Sequence, residues 1–394
     1  MHTTGVTSTR IQCPIDPSHT IPKDDVESHL WKCNAKKRKD GLMSQHYFKK
    51  NINSGLLQDD LDRDIIFIRK KFTKNKEKES NLSQMLNTID KEVFSALLSK
   101  ISHVYSLLFE NYSISSEHYK PKLLTSDKFK KISKKHGEQQ LCMIDLLYRN
   151  NCLSYDCDYV EFGCGSARLS YMIKQAVHVV QPEVSLEDPQ QFILVDRAII
   201  HNKSDVHISH LNDDSEQYAQ VDRITIDISD LLFDKVPLRH ETDRLCVISK
   251  HLCGVATDLT LRCITESRQE NKPLKAIFIA LCCHQCCSYK SYIKRYNISE
   301  QDFEYIKLLT SWGIGFRDGI DNKKHDQLPS KIDLTADERC KVGEQCKRII
   351  DMGRIEYLNH NGYNSNLIYY CDKNVSPENV LLMATPMALV PTTE

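Results

Sequence analysis

Two cysteines and two histidines near the N-terminus are spaced to surround one metal ion: Cys13, His19, His29 and Cys33. Thiolate sulfur and imidazole nitrogen are preferred ligands of Zn²⁺, and four of them form a closed tetrahedral site of the structural kind. His29 and Cys33 are spaced i,i+4, which predicts that both project from one face of a helix. Because so short a segment buries little apolar surface, we expect zinc to stabilise it.

A second group of reactive side chains follows five apolar runs, each typical of a buried strand. The runs are Tyr159–Phe162, Gln191–Asp196, Arg223–Asp227, Leu245–Ser249 and Ala276–Leu281. In open α/β sheets, ligands bind beyond the carboxyl ends of the strands. The polar residues that end these runs therefore predict one ligand site along a single sheet edge.

The first run ends at two glycines, Gly163 and Gly165, and a helical apolar pattern follows them. Glycine lets the backbone approach a ligand closely, and the next helix presents free N–H groups. A dinucleotide fingerprint requires Gly or Ala three residues after the second glycine, whereas this chain has Arg168. The spacing Glu161-x-Gly163-x-Gly165-x-Ala167 instead resembles motif I of S-adenosylmethionine-dependent methyltransferases.

Two carboxylates end the next two runs. Asp196 ends the second strand, where nucleoside-binding folds hold ribose hydroxyls. Asp227 ends the third, where such methyltransferases usually meet the adenine amino group. With the glycine turn, these residues predict a nucleoside site.

Several motifs together resemble one family, the eukaryotic tRNA 2′-O-methyltransferases that modify the ribose at position four of the acceptor stem. They are the CHHC finger, VEFGCGSARLS, FILVDR, KHLCGVATDLTLRC, IALCCHQCC, DMGRIEYL and ENVLLMATP, in that order. The resemblance implies a Rossmann-like α/β methyltransferase domain with S-adenosyl-L-methionine and zinc as cofactors and tRNA as partner. Family members usually begin with a further CCCH finger; here the CHHC finger lies almost at Met1, so the start is truncated or that finger is lost.

The resemblance also assigns roles to residues. Glu161, Gly163 and Gly165 belong to motif I, with the glycines under the methionine moiety, while Asp196 and Asp227 bind the nucleoside. Many ribose 2′-O-methyltransferases use a lysine to prepare the hydroxyl, and Lys250 follows the fourth strand. His251 is the second candidate for this role and His284 the third.

Alternatives remain at each of these positions. Lys250 is either catalytic or the partner of a carboxylate such as Glu161 or Asp258, which would order the loop. The cluster Cys282–Cys287 is a metal site, a loop lining the pocket, or a buried structural segment. The whole chain is also compatible with an RNA-binding zinc-finger protein whose methyltransferase domain is inactive, or with methylation of protein or a small molecule.

Composition and length limit how the protein could attract RNA and where it could be located. Lys plus Arg and Asp plus Glu each number 53 in 394 residues, so attraction to RNA must come from a local patch. The densest basic stretch is Lys120–Lys135, either a solvated helix face or an RNA contact. No signal peptide or membrane-length apolar run occurs, and we expect an intracellular protein of the cytoplasm, the nucleus or both.

The sequence predicts three units. Residues 1–40 form the CHHC finger, residues 41–134 form a basic linker and helical region, and residues 135–394 form the methyltransferase domain. Residues 34–54 show no helical pattern, and apolar stripes at 57–72 and 82–108 predict helices. A capping-box pattern at Thr335–Glu338 predicts the start of a helix, and the apolar run Asn379–Ala384 a last strand.

Overall fold

A computed structural model of the chain describes residues 9–16, 19–54, 77–116, 134–181, 189–200, 204–210, 219–266, 273–288, 296–314 and 333–387. The apolar stripe at 57–72 lies outside those residues. So does the basic stretch at 120–135, apart from the backbone of its last two residues. Neither prediction is therefore tested by the fold.

A small N-terminal unit contains a hairpin and two helices. Strands β1 (Arg10–Gln12) and β2 (Thr20–Pro22) pair antiparallel, with Ile11 opposite Ile21. Helices α1 (Val26–Lys32) and α2 (Asn34–Met43) follow. The interpretation of residues 34–54 as a linker, made because they show no helical pattern, is thus wrong for α2. None of the side chains of α2 is buried. The helix therefore needs no apolar face, and its sequence shows no stripe of apolar residues at helical spacing.

The remaining described strands form one eight-stranded sheet. They are β3 (Ser115–Ser116), β4 (Asp158–Phe162), β5 (Gln191–Asp196), β6 (Gln220–Thr225), β7 (Leu245–Cys253), β8 (Ala276–Cys282), β9 (Tyr363–Tyr369) and β10 (Val380–Pro386). Their order is β3-β9-β10-β8-β7-β4-β5-β6. Strands β4 to β8 run parallel, and β10 runs antiparallel to both of its neighbours. This confirms the predicted Rossmann-like α/β class, and the strand order reverses at β4.

Helices cover both faces of the sheet. They are α3 (Glu77–Thr88), α4 (Lys91–Phe109), α5 (Lys134–Arg149), α6 (Arg168–Val180), α7 (Asp205–Ser209), α8 (Val255–Thr265), α9 (Glu300–Leu309) and α10 (Ala336–His360). Successive side chains of a strand point to opposite faces. Val160 and Phe162 of β4 share a core with α3, α4 and α8 to α10, whereas Tyr159 packs with α5 and α6. Both faces are therefore buried, as in parallel sheets generally.

The start of α10, which is fixed by hydrogen bonds between residues close in sequence, was predicted correctly from the sequence. The capping box at Thr335 and Glu338 is present with both of its hydrogen bonds, and α10 starts there. The stripe at 82–108 divides in two because Asp90 accepts hydrogen bonds from the N–H groups that begin α4. Val93, which the stripe places in the core, is 52% exposed. Within the described ranges, no helix is both long enough and apolar enough to cross a membrane.

Candidate active site and metal centre

A cavity of about 400 Å³ lies beyond the carboxyl ends of β4, β5 and β7. Its walls are formed by Gly163, Asp196, Arg197, Asp227, Ile228, His251, Leu252, Cys253, Val255, Ala256, Leu259, Cys283 and Cys286. Four residues predicted for the site therefore meet here: Gly163, Asp196, Asp227 and His251. Glu161, Gly165, Lys250 and His284 do not line the cavity.

The glycine turn between β4 and α6 needs its two glycines. Gly163 and Gly165 have φ angles of +65° and +50°, in the left-handed region that side chains disfavour. A Cβ atom on Gly163 would lie 3.0 Å from the carbonyl oxygen of His251. The turn is thus packed directly against the strand that carries the candidate catalytic residues.

Asp196 links the turn to the cavity. One carboxylate oxygen accepts the N–H of Gly165 at 2.8 Å, and the other accepts the N–H of Ala198 at 2.8 Å. Each carboxylate oxygen has a second lone pair, so the group can still accept hydroxyl donors from the cavity. Asp227 is oriented in a similar way by the N–H of Ser229 at 3.0 Å.

Glu161 lies behind the turn. Its Oε2 accepts hydrogen bonds from the N–H and the hydroxyl of Ser170 at 3.1 Å and 2.5 Å, which fixes the start of α6 against β4. Burial raises the pKa of this carboxyl to about 7. Glu161 was predicted to bind cofactor, and in this position it orders the turn that would do so.

Arg223 is a residue of the site that sequence reasoning missed. Its guanidinium forms a bidentate pair with Asp205, with both N–O distances 2.7 Å. It also donates to the carbonyl of Gly165 at 2.9 Å and contacts the sulfur of Cys164 at 3.1 Å. The guanidinium therefore clamps the glycine turn from the outer strand β6. The available signal was a charged residue at the start of the third predicted strand.

Lys250 and His251 occupy a β-bulge. In the pairing of β7 with β8, Ser249 is opposite Ile279, and the next paired residues are Leu252 and Leu281. The chain thus advances three residues on β7 but only two on β8. Bulges re-aim side chains and are common beside active sites. His251 is exposed to the cavity, while Lys250 is buried, with its Nζ 3.2 Å from Nε2 of His251.

Burial lowers the pKa of Lys250. The carboxylates considered as its alternative partners have other contacts: Ser170 donates to Glu161, and the guanidinium of Arg354 pairs with Asp258 at 3.0 Å. The amine of Lys250 and the imidazole of His251 thus lie in contact at the cavity wall, and both are group types that general acid–base catalysis uses.

His284 is placed differently from its prediction. It is fully buried, and its Nε2 lies 2.8 Å from Oδ1 of Asp351 on α10. Burial alone would raise the pKa of Asp351, but His284, Arg348 and Arg354 lower it below its usual range. This location turns His284 away from the cavity and makes it part of a structural network.

Arg354 is the centre of that network. It contacts Asp258 and Asp351, both at 3.0 Å, and the carbonyl of Gly254 at 3.3 Å. It also lies 3.1 Å from the sulfur of Cys287. The DMGR motif of α10 therefore ties the loop after β7 to the loop after β8, which together form one wall of the cavity.

Residues 47–54 dock on the loop that carries Asp227. The side-chain amide of Asn53 donates to the carbonyls of Ile228 and Leu231 at 2.6 Å and 2.7 Å. Its own N–H donates to the carbonyl of Ser229 at 3.0 Å, and the residue is 1% exposed. The chain that leaves the N-terminal unit thus supports the wall of the cavity.

Replacing Asn53 with Ala should weaken both the fold and the cavity. The substitution removes two buried hydrogen bonds, which should lower the free energy of unfolding by about 1–3 kcal/mol. Chemical denaturation checks this, with Asn374→Ala at an exposed turn as control. Equal denaturation midpoints for the two variants would contradict the docking role.

The N-terminal ligand set converges as expected for one metal ion. The four ligand atoms of Cys13, His19, His29 and Cys33 all lie within 4.8 Å of one another. The two sulfurs are 3.9 Å apart and the two Nε2 atoms 3.1 Å. A tetrahedral zinc ion with ordinary bond lengths separates two sulfurs by about 3.8 Å and two nitrogens by about 3.3 Å. The donor set therefore fits zinc.

The backbone around Cys33 differs from the prediction. Helix α1 ends at Lys32, and Cys33 has an extended conformation with ψ of 117°, so it does not share a helical face with His29. Instead it precedes α2, where the N–H groups of Lys36 and Ala35 lower the pKa of its thiol. A thiolate is the form that binds metal.

Comparison with known proteins identifies two matching families. Residues 138–385 match the family described as Methyltransferase TRM13, and residues 10–34 match the U11-48K-like CHHC zinc finger. The tRNA:m(4)X modification enzyme TRM13 of Vanderwaltozyma polyspora is 31% identical, over 95% of this chain and 89% of its own length. The Saccharomyces cerevisiae enzyme of that name is 29% identical, over 95% of this chain and 84% of its own. The homologue in Mus musculus is also 29% identical, over 96% of this chain and 87% of its own length.

The family match spans more than half of the chain and contains the glycine turn, both nucleoside-side carboxylates and the bulge. The chain belongs to the TRM13 methyltransferase family.

Proposed function

We propose that this protein is an S-adenosylmethionine-dependent tRNA 2′-O-methyltransferase that modifies the ribose at position four of the acceptor stem. The observation that carries the proposal is the meeting of Gly163, Asp196 and Asp227 with His251 in one cavity. The relatives are named tRNA:m(4)X modification enzymes, which supports tRNA as the substrate. An intracellular location follows from that substrate.

The cavity residues fit the parts of the cofactor. The backbone of Gly163, which lines the cavity, suits the methionine moiety, the remaining lone pairs of Asp196 suit two ribose hydroxyls, and Asp227 with Ile228 suits the adenine. When bound, S-adenosylmethionine supplies an activated methyl group on a sulfonium. The task of the protein is then to position the acceptor oxygen and to exclude water.

The acceptor oxygen needs help from the protein. A ribose 2′-hydroxyl has a pKa far above neutral, so it needs a base or a cation that stabilises the alkoxide. We assign this role to the pair His251 and Lys250 rather than to Lys250 alone, because His251 is the member that lines the cavity. His251 accepts the proton, and Lys250 sets the orientation of the imidazole.

The cavity does not have to accommodate a flipped base of the substrate. In an A-form acceptor stem, the 2′-hydroxyls line a wide and shallow minor groove, so no base has to be flipped. The CHHC finger and the basic stretch Lys120–Lys135 are proposed to read the shape and the phosphates of the stem.

Replacing Asp196 with Ala should weaken cofactor binding. Loss of charge-assisted hydrogen bonds costs about 1.5–3 kcal/mol, which is about tenfold or more in Kd. Calorimetry with S-adenosylmethionine measures it. Asp243→Ala is the matched control, since Asp243 is exposed just before β7, at the opposite edge of the sheet. Unchanged affinity in Asp196→Ala would move the ribose contact to another residue.

The proposal is tested by offering labelled S-adenosylmethionine to the protein with bulk tRNA or with total protein as acceptor. We expect label in tRNA. Label in protein would favour the second class of substrate considered from the sequence. Failure to bind the cofactor would favour an RNA-binding protein with an inactive domain.

A further inference from the structure

Three cysteine sulfurs converge where β7 and β8 end. Cys253 and Cys282 are directly paired across the two strands, and Cys283 follows. Their three Sγ atoms all lie within 4.8 Å of one another. Cys253 is exposed, and Cys282 and Cys283 are half-buried, so a small ion can reach the group. Cys253 and Cys283 also line the cavity.

The backbone is held in unusual conformations at this point. Cys283 has a φ of +54°, in the left-handed region that non-glycine residues disfavour. Such strain persists only where the surroundings impose it, and it clusters at functional sites. Gly254 permits a close approach on the other side, since a Cβ atom there would lie 2.5 Å from the Cβ of Cys286.

Two other candidate ligands in the Cys282–Cys287 cluster have partners elsewhere. His284 is paired with Asp351, and the sulfur of Cys287 contacts Arg354. A metal site wrapped by the cluster alone is therefore not what the fold builds. The third sulfur beside Cys282 and Cys283 belongs to Cys253 on the neighbouring strand β7. Sequence spacing alone does not reveal this neighbour.

We propose that Cys253, Cys282 and Cys283 bind one zinc ion as a tris-thiolate site in the cavity wall, separate from the N-terminal finger. Thiolates select soft metal ions, and three protein ligands leave a fourth position open toward the cavity. The sulfurs have to close from within 4.8 Å to about 3.8 Å for zinc, a change within reach of side-chain rotation. The inference does not depend on the identity of the methyl acceptor.

The test is metal content of the full chain, purified under reducing conditions and reconstituted with zinc. We expect about two zinc ions per chain in wild type and about one in Cys253→Ser. Cys13→Ser, which disables the finger, should also retain about one, and the double variant none. Cys340→Ser on α10 is the matched control and should retain both.

Cobalt substitution gives an independent readout. Cys13→Ser loaded with cobalt should still show sulfur-to-cobalt charge-transfer absorption, and Cys253→Ser in the same background should lose it. Because Cys253 is exposed, its replacement by serine should leave the fold intact, which circular dichroism checks. One zinc per wild-type chain would overturn the proposal. So would a second zinc that survives Cys253→Ser, or a Cys253–Cys282 disulfide in place of metal.

Discussion

Replacing Cys33 with Ser should abolish zinc binding by the N-terminal finger and unfold residues 10–43 while the methyltransferase sheet stays folded. The buried apolar core of this unit consists of Cys13, Ile21 and Cys33, two of which are ligands. Structural zinc in small fingers contributes about 10–16 kcal/mol, far more than so small a core can supply. This is the largest effect we expect from any single substitution.

Limited proteolysis of the full chain with elemental analysis measures this effect. The variant should lose one zinc and be cleaved rapidly within residues 10–43. Wild type stripped of zinc by a strong chelator should be cleaved in the same segment. Cys340→Ser serves again as control. Protease resistance without zinc would show that the finger folds by packing alone and would contradict the assignment of Cys13, His19, His29 and Cys33.

The second large effect is expected at the bulge. Lys250→Met keeps the aliphatic stem but removes the amine, and His251→Gln removes the imidazole. Loss of a proton acceptor should lower the single-turnover rate by about 10²–10⁴-fold with cofactor affinity preserved. Because the two residues act as a pair, the double variant should be little slower than the slower single variant.

The pH dependence supplies a readout that a structural role would not give. A proton acceptor works only when unprotonated, so the wild-type rate should fall as pH drops below the pKa of the pair. This acid limb should move in Lys250→Met, because the variant removes from the pair the amine whose pKa burial lowers. Lys373→Met, at an exposed ion pair with Glu344, should change neither rate nor profile. Collapse of cofactor binding in Lys250→Met would show that the lysine is structural.

Sequence alone predicted those parts of the site that depend on neighbours in the chain. The glycine turn, the carboxylates at the strand ends and the CHHC spacing are local signals, and each residue lies in the expected element or just beyond it. Asp227 shows the usual error at a boundary, since β6 ends at Thr225, two residues earlier than predicted.

The parts that sequence missed depend on contacts between distant segments. Arg354 pairs with Asp258 across 96 residues, and Asn53 meets Leu231 across 178. The bulge at Lys250 and His251 is a property of the register with β8, which no single strand encodes. The contact of His284 with Asp351 is not visible in the sequence for the same reason, because Asp351 is on a helix far along the chain.

Mapping the methylated nucleotide tests the central claim most directly. Bulk tRNA labelled by the wild-type protein is hydrolysed with alkali, which cleaves next to a free 2′-hydroxyl but not next to a methylated one. The account predicts label in an alkali-resistant dinucleotide that begins with nucleotide four of the acceptor stem, and none with the Lys250→Met, His251→Gln double variant. Label released as a methylated base, or located at another ribose, would contradict it.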